Sequence, residues 1–261
     1  MWLYEIPTWS LGLMIVGATI AATLGGFALI HKIWPGARSD ISPDMVIAFV
    51  GVVCAFHSLL LAFSAVLVWQ DFQDSEQAVS VEANTVEDIY RDLGIYGGAQ
   101  AALARETLID YVRAVVNDEW PMMADGKSSE KAQALVDRVF EYAGALDPQT
   151  PREQVIFGEI FRHLNELMDN RHERLRDSQS AMPGLFWTVV LIATALLIAY
   201  LGLLPMTKDN LLMIGGMAAA MGLIFFFIVA FDHPFAGDAA VAPDPLTEIL
   251  QHFGGDAKIA K

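Results

Sequence analysis

The sequence predicts an all-α membrane protein: four transmembrane helices with an acidic helical domain inserted between spans two and three. Three observations carry this. The chain of 261 residues is 54% hydrophobic with a mean hydropathy of +0.42, yet 18% of it is charged. Its apolar residues gather in four blocks, Trp9–Ile30, Met45–Trp69, Gly184–Leu204 and Leu211–Phe231, none containing Asp, Glu, Lys or Arg. Residues 70–183, between the second and third blocks, carry 11 Lys and Arg against 22 Asp and Glu, a net charge of −11 out of −15 for the chain.

Each block is long enough to cross a bilayer, which takes about 20 helical residues. The first is read as retained, because no Lys or Arg precedes it and another span follows at once. The third and fourth are divided by "PMTKDN", a turn signal. The domain boundaries expected are 1–69 for the first two spans, 70–183 for the helical insert, 184–231 for the last two spans and 232–261 for a C-terminal tail.

The insert reads as helical throughout. Val79, Val86 and Leu93 fall seven apart, with Ala83 and Tyr90 on the same stripe, directly after the second span. Leu108, Tyr111, Val112 and Val115 stripe a second helix, expected to end at Trp120 because Pro121 follows. Leu135, Val139, Phe140 and Ala143 mark a third. Thr150, Pro151 and Glu153 have the order of an N-cap, a first-position proline and a capping glutamate for a fourth, striped by Phe157, Ile160, Leu164 and Leu167. Beyond Phe231 three prolines predict an extended tail with a short helix at "LTEILQHF".

Net charge and cysteine count exclude several classes of function. An acidic domain repels nucleic acid, so no nucleic-acid partner is expected; the partners implied are the lipid bilayer, small ions and further copies of the chain. The single cysteine, Cys54, lies inside a span and excludes an intrachain disulfide framework. Dinucleotide, P-loop, nucleophile-elbow and zinc-protease motifs are absent, so neither enzymatic activity nor a cofactor is expected.

Small residues recur at four-residue steps within the spans: Gly17, Ala21 and Gly25 in the first, Gly51, Ala55 and Ser58 in the second, Gly215 and Ala219 in the fourth. Such faces let helix backbones touch, and they are the candidate packing surfaces. The second span carries two further faces. Phe49, Val53, Phe56, Leu60 and Phe63 alternate in steps of four and three, which suits either a lipid-facing stripe or rings of phenyl groups closing a pore. The remaining sector holds His57 and, one heptad on, Ser64. A mid-span ionisable residue is a functional candidate, the alternative being a neutral histidine bonded to a neighbouring helix.

"VWQDFQDSEQAVSVEANTVEDIYRDL", "YVRAVVNDEWPMM" and "FDHPFAGDAAVAPDPLTEIL" resemble the bacterial bestrophin-like family, a domain of unknown function related to bestrophin channels, over nearly the whole chain. The resemblance implies a pentameric ion channel of the bacterial inner membrane, with the second span lining the pore and continuing unbroken into a cytoplasmic domain. Phe49, Val53, Phe56, His57, Leu60, Phe63 and Ser64 are then the pore candidates. The acidic run that binds calcium in animal bestrophins is thinned here to Asp232 and Asp238, weak metal candidates. Charge leaves orientation open: Arg171, Arg174 and Arg176 flank one side, Lys32, Arg38 and Lys208 the other. A non-conducting scaffold or sensor, recruiting a partner through the acidic domain, is the alternative.

Overall fold

The computed structural model describes residues 2–34 and 42–253, and Arg38 lies outside them. The described residues form α-helices, short helical turns and connecting segments. Helix α1 spans Thr8–Ile33, α2 Pro43–Tyr96, α3 Gly98–Ala114, α4 Trp120–Met123, α5 Glu130–Gly144, α6 Pro151–Asp177, α7 Gly184–Leu201, α8 Lys208–Phe231 and α9 Asp244–Phe253. Four of them, α1, α2, α7 and α8, are long and apolar enough to cross a membrane. The chain divides into two compact units: Met1–Gln70, Ala181–Asp232 and Gly237–Ala239 in the first, Asp71–Ser180, His233–Ala236 and Ala240–Lys261 in the second.

In the first unit the four membrane-capable helices pack at two levels. Phe27, Leu197, Leu201, Ile214 and Met221 bury one cluster with Val50, Val53 and Cys54 against it. Leu61, Val68, Val190 and Ile228 bury the other, with Phe186, Trp187 and Phe225 around it. Close approach of the backbones falls at glycines. A Cβ on Gly222 would meet the Val16 Cα at 2.9 Å, and on Gly26 or Gly202 it would strike Ile198 or Ile30 at 2.6 Å. Ring contacts between Trp69 and both Phe227 and Phe231 close one end, an aromatic belt of the kind found where a span leaves hydrocarbon.

The second unit is built on the α2 stripe. Val86, Ile89 and Leu93 bury against Leu108, Tyr111 and Val112 of α3, Val136 and Val139 of α5, Ile160 and Leu164 of α6, and Leu246 and Ile249 of α9. Helix α2 stops where two consecutive glycines take left-handed geometry, Gly97 at φ 76° and Gly98 at φ 88°, a conformation only glycine adopts without strain. The N-terminus of α6 is capped as its sequence suggests. Thr150 Oγ1 accepts from the Glu153 amide at 3.2 Å, and Glu153 Oε2 accepts from the Thr150 amide at 3.0 Å.

The expected helix end at Trp120 is not observed. Helix α3 instead widens into a π-helical turn, Val115–Glu119, and continues through Trp120 and Pro121. The Trp120 amide reaches back five residues to the Val115 carbonyl. A wider turn removes the i−4 clash that a proline ring makes inside a regular α-helix.

Candidate functional site

Burial within the first unit fixes which faces of α2 remain free there. Val46, His57, Leu61, Ser64 and Val68 of α2 are buried in the first unit, and Ser75, Val79, Glu82, Val86, Ile89 and Leu93 of α2 are buried in the second. At about 100° of rotation per residue, the line diametrically opposite carries Ala48, Val52, Leu59 and Val66. All four are exposed. Phe49, Phe56 and Phe63 lie on one flank of that line, exposed by 52%, 71% and 62%. Gly51, Ala55, Ser58 and Ala62 lie on the other flank and are exposed as well. The free sector is therefore wider than the phenylalanine stripe. Val53 and Leu60 are half-buried at its edge, between the aromatic flank and the packed face. Phe49 is held by α7, its ring stacked on Tyr200 at 6.4 Å with the planes 8° apart.

The third sequence-predicted sector, His57 with Ser64, points into the unit's own interior. His57 is 2% exposed and its Nε2 lies 3.3 Å from Thr194 Oγ1 of α7. Ser64 Oγ donates to the Leu60 carbonyl of its own helix at 2.8 Å. Within the unit neither side chain belongs to the free sector.

The small-residue stripes behave differently from the glycines that pack the unit. A Cβ on Gly17, Gly25 or Gly51 would meet nothing within 4 Å, and Ala21 is exposed between the first two. Gly215 and Ala219 of α8 are half-buried, with Leu24 the nearest neighbour of Gly215 at 4.0 Å. Spacing identified faces fit for close approach. It did not distinguish those used within the first unit, at Gly26, Gly202 and Gly222, from those left free.

Asp232 and Asp238 each accept a backbone hydrogen bond in the first unit. Asp232 Oδ1 accepts from the Met182 amide at 2.6 Å, just before α7, and Asp238 Oδ2 accepts from the Thr8 amide at 3.0 Å, at the start of α1. Gly237 between them sits at φ 87° against Tyr4. Calcium takes about six to eight oxygen ligands. Among the described residues no group of three or more His, Cys, Asp or Glu side chains is placed to hold a metal ion. The two carboxylates fit a capping role better than a calcium shell.

Sequence reading missed the most heavily buried polar cluster. Glu82 of α2, Glu119 of the π turn, and Arg171 and Arg174 of α6 are all at or below 2% exposure in the second unit. Arg171 Nη2 donates to Glu119 Oε2 at 2.6 Å, and Arg174 Nη2 donates to Glu119 Oε1 at 2.9 Å and to Glu82 Oε1 at 3.1 Å. Tyr111 donates to Glu82 at 2.9 Å, and Arg171 also donates to Gln133. Burial opposes ionisation of Glu119, but the Arg171 hydrogen bond, the charges of Arg174 and Arg171 and the Ser129 amide outweigh it and hold its carboxyl below the usual range. Burial pushes the Tyr111 hydroxyl well above its ordinary value, and the Glu82 charge adds to this. Two of the arginines weighed as topogenic charges, Arg171 and Arg174, are thus consumed by buried carboxylates.

A groove of about 490 Å³ lies beside α2 in the second unit, lined by Gln73, Glu76, Gln77 and Ser80 and by Val241, Asp244 and Pro245 of the tail. A second hollow of about 330 Å³ continues it past Asn84, Glu87, Glu248 and His252.

Helix α2, 54 residues long, carries that free, uncharged face in its first-unit half. The model of the bestrophin-like domain matches residues 17–246. The chain belongs to the bestrophin-like family. No curated protein matches it, and no solved structure does. The match takes in all of α2, α7 and α8 and most of α1, so the four membrane-capable helices of this bestrophin-like chain are those of a membrane protein.

Proposed function

We propose that this bestrophin-like protein is a homo-oligomeric ion channel of the bacterial inner membrane, a pentamer, with α2 lining the pore and the acidic helical unit on the cytoplasmic side. The free sector of α2 carries the reading. A helix in lipid gains nothing from backbone left accessible at Gly51, Ala55 and Ser58, whereas a neighbouring helix gains close contact there. Large side chains on one flank and small ones on the other are complementary in a head-to-tail ring, which closes when each copy presents a different face to each neighbour. Phe56 of one copy then seats beside Gly51 and Ala55 of the next.

In such a ring the line between the flanks, Ala48, Val52, Leu59 and Val66, faces the axis, with Phe63 at its margin. An apolar lining of this kind gates by wetting and drying, because an ion stripped of water in a narrow apolar neck finds no compensating ligand. Mass measurement in detergent and ion flux in proteoliposomes test the proposal together. A multimer of about five copies that passes ions supports it; a monomer at micromolar concentration, or an intact multimer that passes none, contradicts it.

The groove between α2 and the tail favours a second reading, a non-conducting scaffold whose acidic unit holds a basic partner. Glu76 and Asp244 line it, and Glu87 and Glu248 line the hollow beside it. That reading predicts an intact multimer without flux.

A further inference from the structure

His57 and Thr194 meet at mid-span in the first unit, between its two apolar clusters. Thr194 Oγ1 donates its single hydrogen to the Val190 carbonyl at 2.8 Å. The hydrogen between Thr194 Oγ1 and His57 Nε2 therefore sits on nitrogen, and His57 is the donor. A neutral imidazole then carries its lone pair on Nδ1, and His57 Nδ1 is buried without a hydrogen-bond partner. A bare acceptor is tolerable among apolar groups. A second N–H there, with a full charge on the ring, is not.

The surroundings offer that charge no carboxylate. From α8, Phe225 stands with its ring centroid 6.3 Å from that of His57 and the planes 66° apart. From α7 come Thr194 and the buried Val190 and Leu197, and from α2 itself Leu61, Ser64 and Cys54, the last bonded weakly to Ser58 at 3.9 Å. Cys54 is the only other titratable group in α2 between Met45 and Trp69, and the apolar blocks of α1, α7 and α8 contain no Asp, Glu, Lys or Arg.

We infer that His57 is a positioning residue: a neutral Nε2–H pin that fixes the register of α2 against α7, and that acid releases. A buried polar pair of this kind selects one register among apolar surfaces that would otherwise slide. Protonation leaves the bond to Thr194 in place but adds an unmatched donor on Nδ1, so the charged ring is driven out of the seam and the register is lost. The pin belongs to the subunit's own packing and stands whether or not the protein conducts.

The test uses the full-length protein in nanodiscs, labelled with ¹⁵N-histidine. The wild type shows near neutral pH one histidine protonated at Nε2 and bare at Nδ1, and His57→Gln removes that signal. Thr194→Val lowers the melting midpoint of the wild type by about 2 to 4 °C and changes nothing in a His57→Leu background. The amide introduced by His57→Gln keeps a donor that does not titrate, so the midpoint falls less in this variant than in the wild type between about pH 7.5 and 5.5. A His57 protonated at Nδ1 overturns the inference, as does an equal Thr194→Val effect in both backgrounds or an equal acid loss in wild type and His57→Gln. The spectrum of the wild type decides even if a variant does not fold.

Discussion

Asp238 Oδ2 holds the Thr8 amide at 3.0 Å, a hydrogen bond that joins positions 230 residues apart. It supplies what the local sequence lacks, because Pro7 occupies the N-cap position of α1 and offers no side-chain acceptor. Loss of a capping acceptor costs about 0.5 to 2 kcal/mol. Asp238→Ala should lower the thermal midpoint of the protein, and Asp238→Asn should restore most of the loss. With both carboxylates of the segment occupied by amides, calcium chelation should leave the melting curve unchanged.

The buried network makes a sharper thermodynamic prediction. Removing one partner of a buried ion pair costs about 3 to 5 kcal/mol, because a charge is left without compensation. Glu82→Gln leaves Arg174 short of one carboxylate, and Arg174→Met leaves two carboxylates short of a cation; either should unfold the second unit at markedly lower denaturant. Replacing Glu82 and Arg174 together by apolar residues should cost less than the two single changes summed. Glu119 sets the pH limb. Its folded carboxyl lies below the ordinary value, so its contribution is present above the ordinary carboxylate range and disappears as pH falls through the depressed value. Glu119→Gln should flatten that part of the acid unfolding curve, read by circular dichroism.

Glycines distinguish the packing within the first unit from the proposed packing between copies. Gly222→Ala sets a methyl against the Val16 backbone and should lower the melting temperature of the subunit itself. A Cβ on Gly51 meets nothing within 4 Å, so Gly51→Leu should leave secondary structure and folding intact while shifting the mass in detergent toward smaller species. Equal effects of the two substitutions on assembly would remove the distinction.

Much of the fold was legible because hydrophobic periodicity reports burial directly. The four apolar blocks, the Val79–Val86–Leu93 stripe and the Thr150–Glu153 cap could be read from spacing alone. Pro121 misled, since the π turn that accommodates it leaves no signature in residue type. The ion cluster was illegible for a different reason: Glu82, Glu119, Arg171 and Arg174 are ordinary charged residues of an acidic helical region until tertiary packing brings three segments together. On α2, sequence resolved three faces, but it could not assign the His57 and Ser64 sector to the interior. That assignment depends on where α7 and α8 lie.

If the proposed pore conducts, its selectivity should lean toward cations or be weak. Residues 70–183 carry a net charge of −11, a field that concentrates cations and depletes anions, blunted by screening over about 8 Å at physiological salt. Reversal potentials across a salt gradient read this out. Strong chloride selectivity would mean that donors in the pore itself outweigh the acidic unit.

Cysteine accessibility along α2 tests the pore assignment most directly, since Cys54 is the one native cysteine and its replacement by alanine gives a silent background. In that background Leu59→Cys, Phe56→Cys and, on the exposed surface of α7, Leu191→Cys are reconstituted and treated with a small charged thiol reagent during current recording. Modification at Leu59 should change the current at once, Phe56 should react slowly because it is seated on a neighbouring copy, and Leu191 should remain silent in lipid. Current that responds at Leu191 but not at Leu59, with the multimer intact, would contradict a conduit lined by the free face of α2.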